Sequence, residues 1–171
     1  MNSKNKSILT LLLTSLLLAS YALAQQPQTS RSETGSSGYV PVTRYDPKRN
    51  AAQDLTEAIS EASRTGKNVM VEVGGDWCSW CHTLDNFFAA HQDLIELRDK
   101  NFVTLKINFS QENENEKVLS QYPQINGYPH IFFLNPKGKL LQSQDTSVME
   151  NGSSYNLERV RDVLTKWAPK Q

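Results

Sequence analysis

A short apolar run at residues 69–73, Val-Met-Val-Glu-Val, is followed at once by Gly74 and Gly75 and then by a helical pattern from Trp77. The run has the length and the branched side chains of a buried strand, and the paired glycines indicate the loop that ends it. A buried strand that leads directly into a helix is the building unit of open α/β sheets. The segment therefore predicts an α/β fold, with a site in the loop that follows the strand.

Helix and strand patterns alternate along the rest of the chain. Helical patterns cover 47–65, the segment from 77 with a break near His91, 112–122 and 157–167, and strand patterns cover 102–109, 130–135 and a hairpin partner at 139–143. Strands that alternate with helices imply parallel pairing, and the late hairpin adds an antiparallel edge. We therefore predict a central mixed sheet flanked by helices on both faces, with a long loop at 142–155.

The first 24 residues have the three parts of a secretory signal. Lys4 and Lys6 precede an apolar run at 8–18, and small residues at 22–24 predict cleavage after Ala24. The apolar run is shorter than the ~20 residues of a membrane-spanning helix, although an uncleaved anchor remains the alternative. We expect a periplasmic or secreted protein without stable membrane insertion after cleavage.

Residues 25–44 are polar and rich in Ser, Gln, Gly and Pro, which predicts a flexible tether ahead of one domain at 45–171. Cleavage after Ala24 would remove two of the 18 basic residues and none of the 18 acidic ones, leaving a net charge of −2. No basic face is indicated, so nucleic acid is not expected as a partner.

Both cysteines of the chain lie in one Cys-x-x-Cys motif, Cys78 and Cys81, followed directly by His82. Cysteines two residues apart close a ring too small to constrain the unfolded chain much, so redox chemistry explains them better than a structural staple. A helix that begins near Cys78 favours its thiolate, whereas Cys81 lies one turn deeper. We expect Cys78 to attack a partner disulfide and Cys81 to resolve the mixed disulfide.

Three segments carry a resemblance to a known family: VMVEVGGDWCSWC, LKIN at 105–108, and INGYPHIFFLNPKGKLL. With them, residues 50–168 resemble the thioredoxin superfamily, and in particular its exported subgroup with a WCxWCH motif. The resemblance implies a thioredoxin-like fold, a thiol:disulfide oxidoreductase and a redox-active Cys78–Cys81 disulfide as the only redox group. It also implies protein substrates with thiols or disulfides, and a membrane or periplasmic redox partner.

The same resemblance implies roles for further residues. Glu72 matches a buried carboxylate that relays a proton to or from Cys81, and Lys106 matches the lysine that approaches it. The alternative is that Glu72 is solvated or only pairs with Lys106 for structure. Pro129 matches a cis-proline opposite the cysteines, and Tyr128 before it would pair with substrate through its backbone. Trp77 and Trp80 would flank the sulfurs as substrate contacts, or simply pack.

Three questions stay open at this stage. His82 either adds positive charge near Cys78 or lies exposed on the helix surface. Electron flow is expected to be reductase-like, but Ser79 and Trp80 between the cysteines do not define a potential. The other function classes are a zinc or copper module that uses Cys78, Cys81 and a nearby histidine, c-type haem attachment through CSWCH, and a non-catalytic interaction domain.

Overall fold

A computed structural model of the chain describes residues 38–170. The predicted signal at 1–24 and the first part of the predicted tether therefore lie outside the described residues. The elements in chain order are α1 Ala51–Thr65, β1 Asn68–Gly74, α2 Ser79–Ala89, α3 Gln92–Asn101, β2 Phe102–Asn108, α4 Glu116–Leu119, β3 His130–Leu134, β4 Leu140–Asp145, a 3-10 helix Thr146–Met149, β5 Glu150–Asn151, β6 Ser154–Tyr155 and α5 Leu157–Trp167. Within residues 38–170, no helix combines the length and the apolar composition needed to span a membrane.

A four-stranded sheet in the order β2-β1-β3-β4 forms the centre of the domain. β1 pairs in parallel with β2, while β3 runs antiparallel to both β1 and β4. Helix α1 packs on one face through a core that includes Leu55, Ala58 and Val71. Helices α2, α3 and α5 cover the other face, where Met70 and Phe133 are buried. The predicted mixed sheet with helices on both faces is confirmed.

Side-chain caps mark the first turn of the helices at the two ends of the domain. Helix α1 begins at Ala51, four residues after the start of the predicted pattern at 47, whereas α5 has its predicted bounds. Asn50 caps α1 by accepting a hydrogen bond from the Gln53 backbone N–H, and Gly66 ends this helix in the left-handed conformation. Asn156 caps α5 through the Arg159 N–H at 3.1 Å. In both helices the apolar stripe read from the sequence faces the sheet.

Parallel pairing of β3 with its neighbour, which the alternating pattern implies, is wrong. β2 ends with Asn108 opposite Gly74, and β3 starts with His130 opposite Val73. The chain therefore leaves β2 and enters β3 at the same end of the sheet, beside the C-terminal end of β1, so β3 must run antiparallel to β1. The four-residue α4 between them spans about 6 Å, which is too short to return the chain along a seven-residue strand.

Helix α4 is also much shorter than the helix predicted at 112–122. The side chains of asparagines ahead of it bond to nearby backbone groups instead: Asn108 Nδ2 donates to the Asn113 carbonyl, and Asn113 Oδ1 accepts from the Asn115 N–H. Asn115 itself has a φ of 49°. Local side-chain bonds of this kind compete with helix formation, so a run of turns replaces the first half of the predicted helix.

Two further predicted segments, the loop at 142–155 and the tether at 25–44, differ from the structure. The predicted loop at 142–155 contains the end of β4, the 3-10 helix and the β5–β6 hairpin. The predicted tether at 25–44 ends inside the folded region, because Val42 is 8 % exposed and its carbonyl accepts a hydrogen bond from the Lys106 N–H at 3.0 Å. The folded region therefore begins before residue 45.

Candidate active site

Cys78 and Cys81 lie between the end of β1 and the first turn of α2, and they are joined by a disulfide. Cys78 is the N-cap of α2, and its sulfur accepts a hydrogen bond from the Cys81 N–H at 3.1 Å. A sulfur at the positive end of a helix, in contact with a backbone N–H, is stabilised as the thiolate once the disulfide is reduced. Cys81 is completely buried, whereas Cys78 keeps 4 % exposure. The order of burial suits Cys78 as the attacking sulfur.

Gly74, the last residue of β1, is in close contact with the buried sulfur. A Cβ at this position would overlap Cys81 Sγ and lie 2.9 Å from the hydroxyl oxygen of Tyr45. Only a glycine leaves room for both groups against the strand. The sulfur of Cys81 and the hydroxyl of Tyr45 therefore occupy the same small space beside β1.

Glu72 lies two residues before Gly74 on the same face of β1 and is 6 % exposed. The Tyr45 hydroxyl donates to Glu72 Oε1, and Lys106 Nζ lies 3.2 Å from the same oxygen. Lys106 stands opposite Glu72 in the β1–β2 register and also binds Asp85 Oδ1 at 2.5 Å. The structure therefore brings together the carboxylate and the lysine that the sequence singles out.

Tyr45 is the member of this group that the sequence did not identify. It is 5 % exposed and lies 27 residues before its partner Glu72. Burial, with the negative charge of Glu72 adding to it, raises the pKa of Tyr45 far above its ordinary value, so the hydroxyl stays protonated. No short-range pattern points to it, because the contact exists only once the N-terminal segment packs on the sheet.

An aromatic surface lies beside the disulfide. Trp77 is 57 % exposed, its Nε1–H donates to the Phe109 carbonyl at 2.7 Å, and its ring meets Tyr128 edge-on. Trp77 and Phe109 line an open groove of about 820 Å³ with Asp76, Glu112 and Glu114 among its walls. Exposed aromatic side chains next to a reactive group are typical of contact surfaces for partners.

Trp80, the other predicted contact residue, is placed differently from Trp77. It is half-buried and meets the ring of Tyr155 edge-on at 5.4 Å. The Tyr155 hydroxyl donates to the Trp80 carbonyl at 3.4 Å. Trp80 is thus held against the β5–β6 hairpin, although it also contacts the buried cluster of Tyr45 and the two cysteines.

Tyr128 and Pro129 lead into β3 at the same edge of the sheet as the disulfide. The peptide bond between them is cis. The Pro129 carbonyl accepts a hydrogen bond from Thr146 Oγ1 at 2.6 Å, and Tyr128 contacts the cluster of Tyr45 and the cysteines. The structure therefore brings Pro129 and Tyr128 to the site.

The two histidines considered as metal ligands have other partners. His82 is exposed, and its Nε2–H donates to the Asp76 carbonyl at 2.8 Å, which ties the first turn of α2 to the preceding loop. His130 is buried in β3, where its Nε2 is hydrogen-bonded to Ser143 Oγ at 2.8 Å, and burial lowers its pKa. Among residues 38–170, no group of three or more His, Cys, Asp or Glu side chains could hold a metal ion. The geometry does not favour the metal alternative.

A c-type haem bound through CSWCH would use His82 and one further Met or His as axial ligands, and the candidates Met70, Met149 and His91 are packed in the fold. Met70 and Met149 are each 2 % exposed in the core beneath α2 and α5. The His91 ring packs at a tilt against Phe87, with ring centroids 4.3 Å apart, and is hydrogen-bonded to the Phe87 carbonyl. A haem ligated by Met70 would displace the central strand, so the arrangement does not favour haem attachment.

Comparison with known proteins agrees with the geometry of the disulfide site. Residues 50–136 match the family described as thioredoxin-like. The chain is 29% identical over 103 residues to thiol:disulfide interchange protein DsbD of Colwellia psychrerythraea, covering 60% of this chain and 17% of that protein. It is 25% identical over 84 residues to spermatogenesis-associated protein 20 of Rattus norvegicus, covering 47% of this chain and 11% of that protein. The chain thus spans less than a fifth of the length of these curated relatives.

Among solved structures, the fold is similar to that of a disulphide isomerase from Xylella fastidiosa Temecula1. The TM-score is 0.61 at 21% sequence identity, and the match covers 75% of this chain and 98% of the other. At this level of identity the likeness concerns the fold.

Proposed function

The chain belongs to the thioredoxin-like family, and we propose on this basis that it is an exported thiol:disulfide oxidoreductase that acts as a reductase on client proteins. The observation that carries the proposal is the Cys78–Cys81 disulfide at the N-terminus of α2. The similarity to proteins named for thiol:disulfide interchange supports the same reaction class. The reduced Cys78–Cys81 dithiol carries the two electrons that the client receives, so the proposed reaction uses no further redox group.

The proposed reaction starts from the reduced dithiol. The Cys78 thiolate attacks one sulfur of a client disulfide, a mixed disulfide forms, and the client's other sulfur leaves as a thiolate. Cys81 then loses its proton and attacks the Cys78 sulfur, which releases the client's second thiol. The client gains two electrons, and the protein ends with the Cys78–Cys81 disulfide. A redox partner in the periplasm or the membrane returns two electrons for the next cycle.

The surroundings of the disulfide support a reductase rather than a strong oxidant. A dithiol becomes strongly oxidising when its thiolate is well stabilised, for example by a cationic neighbour. The Nε2 of His82 is bonded to the Asp76 carbonyl. Lys106 is paired with both Glu72 and Asp85, so this group holds two carboxylates for one cation. The helix N-terminus is then the main group that favours the Cys78 thiolate, which suits a low potential.

The contact surface for clients includes Trp77, Tyr128 and the groove beside them. Trp77 is exposed and its ring is fixed by the hydrogen bond to Phe109, so it offers apolar area at little cost in side-chain entropy. In this proposal Tyr128 pairs with an extended client segment through its backbone, and Pro129 holds that segment in register opposite Cys78.

A trapping experiment tests the assignment of the two cysteines. Without the resolving thiol, mixed disulfides accumulate, so Cys81→Ala should form covalent complexes with client proteins that disappear on reduction. Cys78→Ala is the matched control and should trap none, because Cys81 is fully buried. Equal trapping by both variants would refute the assignment.

N-terminal sequencing of the exported chain tests the localisation, with Gln25 expected as the first residue.

A further inference from the structure

Tyr45 occupies a position between the buried carboxylate and the buried sulfur. Its hydroxyl donates to Glu72 Oε1. A Cβ added at Gly74 would lie 2.9 Å from the Tyr45 oxygen and would also overlap Cys81 Sγ. Tyr45 and the two cysteines form one buried cluster. The Tyr45 hydroxyl is thus hydrogen-bonded to the carboxylate and belongs to the same buried cluster as the Cys81 sulfur. Tyr45 precedes the family match at 50–136.

The proposed reaction leaves open how Cys81 loses its proton. Its sulfur is completely buried, so bulk water does not reach it directly. A positioned side chain must take the proton during resolution and return it when the disulfide is reduced again. Tyr45 carries the buried hydroxyl of the cluster that holds both sulfurs, whereas Tyr128 packs against this cluster and is only partly buried.

We propose that the Tyr45 hydroxyl relays the proton between Cys81 and Glu72; this inference rests on the proposed function. During resolution the Cys81 thiol gives its proton to the Tyr45 oxygen as the Tyr45 hydroxyl gives its own to Glu72 Oε1. The Cys81 thiolate attacks the Cys78 sulfur, and the products are a neutral Tyr45 and a protonated Glu72. When the disulfide is reduced, both protons move back.

Other charged and titratable groups around the hydroxyl suit this relay. Lys106 Nζ lies 4.5 Å from the centre of the Tyr45 ring and 3.2 Å from Glu72 Oε1, so it holds the acceptor in place. Asp85 from α2 binds the same ammonium group, and Tyr155 from β6 completes the surroundings of Tyr45. Burial raises the pKa of Tyr45, so the residue passes protons on without becoming a tyrosinate.

The test separates the two thiol steps by time. Reduced protein is mixed with excess dithiobis-nitrobenzoate, which releases one coloured thionitrobenzoate when Cys78 attacks and a second when Cys81 resolves. Tyr45→Phe keeps the ring and removes the hydroxyl, so the first phase should stay at the wild-type rate. The second phase should slow by about 100-fold at neutral pH, because positioned proton transfer contributes ~10²–10⁴-fold in typical cases. The pH at which the second-phase rate reaches half of its maximum should rise by about one unit.

Tyr39→Phe is the matched control. Tyr39 comes from the same N-terminal segment, and its hydroxyl donates to the Thr104 carbonyl at 3.2 Å, away from the sulfurs. Burial raises the pKa of Tyr39 to about 12, so it is also a protonated, partly buried tyrosine. Both phases and the pH profile should be unchanged in this variant. A loss equal to that of Tyr45→Phe would overturn the relay.

Glu72→Gln provides a second variant of the same path. If the proton passes through both groups, Glu72→Gln should slow the second phase as much as Tyr45→Phe does, and the double variant should be no slower than either single variant. Losses that multiply would show two independent paths and overturn the relay. A second phase in Tyr45→Phe with the wild-type rate and pH profile would also overturn it while leaving the proposed function intact. A wild-type protein without a first phase would refute the proposed function itself, and the relay with it.

Discussion

Gly74→Ala tests how tightly the fold packs against the buried sulfur. The added Cβ would overlap Cys81 Sγ and lie 2.9 Å from the Tyr45 oxygen. Neither neighbour can move aside freely, because the sulfur is tied to Cys78 and the hydroxyl is bonded to Glu72. We expect the oxidised protein to lose stability.

The size of the loss follows from two opposing effects. Overpacking of a core costs about 1–3 kcal/mol, while replacing glycine by alanine in an ordinary backbone conformation gains about 0.4–1 kcal/mol from the unfolded chain. The oxidised form should therefore lose a net ~1–2 kcal/mol. The reduced form should lose less, because the free Cys81 thiol can rotate away from the new methyl group. Since 1.4 kcal/mol corresponds to about 30 mV for a two-electron couple, the reduction potential should rise by at most ~20–40 mV, the value reached if the reduced form loses no stability.

Urea unfolding of both redox states and equilibration with glutathione measure these effects. Gly127→Ala is the matched control, because a Cβ there meets no atom within 4 Å. Its unfolding midpoint should equal or slightly exceed that of the wild type. An oxidised Gly74→Ala protein as stable as Gly127→Ala, with an unchanged potential, would refute the packing argument.

Two further predictions concern charged and titratable groups. Lys106→Met removes the cation beside buried Glu72 and should lower the free energy of unfolding by ~3 kcal/mol. Arg64→Met, which removes the cation of the Arg64–Glu61 ion pair, should lower the free energy of unfolding by less than about 1 kcal/mol. A loss equal to that of Lys106→Met would contradict the argument from burial. Because burial lowers the pKa of His130, the unfolded chain binds more protons, so stability should fall as the pH drops below about 6.5. His130→Gln should flatten the pH dependence of the thermal unfolding midpoint between about pH 7 and pH 5. Asp145 titrates below this range because its pKa is lowered. An unchanged slope in His130→Gln would contradict the assignment to His130.

Elements with strong local signals were predictable from the sequence. The predicted thioredoxin-like fold is confirmed, and α5 has the predicted bounds, Leu157–Trp167. Its apolar stripe and its Asn156 cap lie within twelve consecutive residues, so the local pattern contains what the helix needs. The two sulfurs at the start of α2 were predictable for the same reason, because strand, glycines and helix follow one another directly.

Features that depend on distant contacts were not predictable in this way. The direction of β3 depends on the path of residues 109–129, which stays at one edge of the sheet. The position of Tyr45 depends on how the chain packs between the predicted tether at 25–44 and the start of α1. Its partner Glu72 is 27 residues away, and no periodicity links the two. Such contacts come from tertiary packing, which a single sequence does not encode in any local pattern.

The reduction potential of the Cys78–Cys81 couple tests the central claim most directly. The protein is equilibrated with mixtures of reduced and oxidised glutathione, and the fraction in each state is read by trapping free thiols. A reductase-like site predicts a potential near −270 mV, with Cys78 and Cys81 changing state together. A value near −120 mV would mark a strong oxidant and contradict the account.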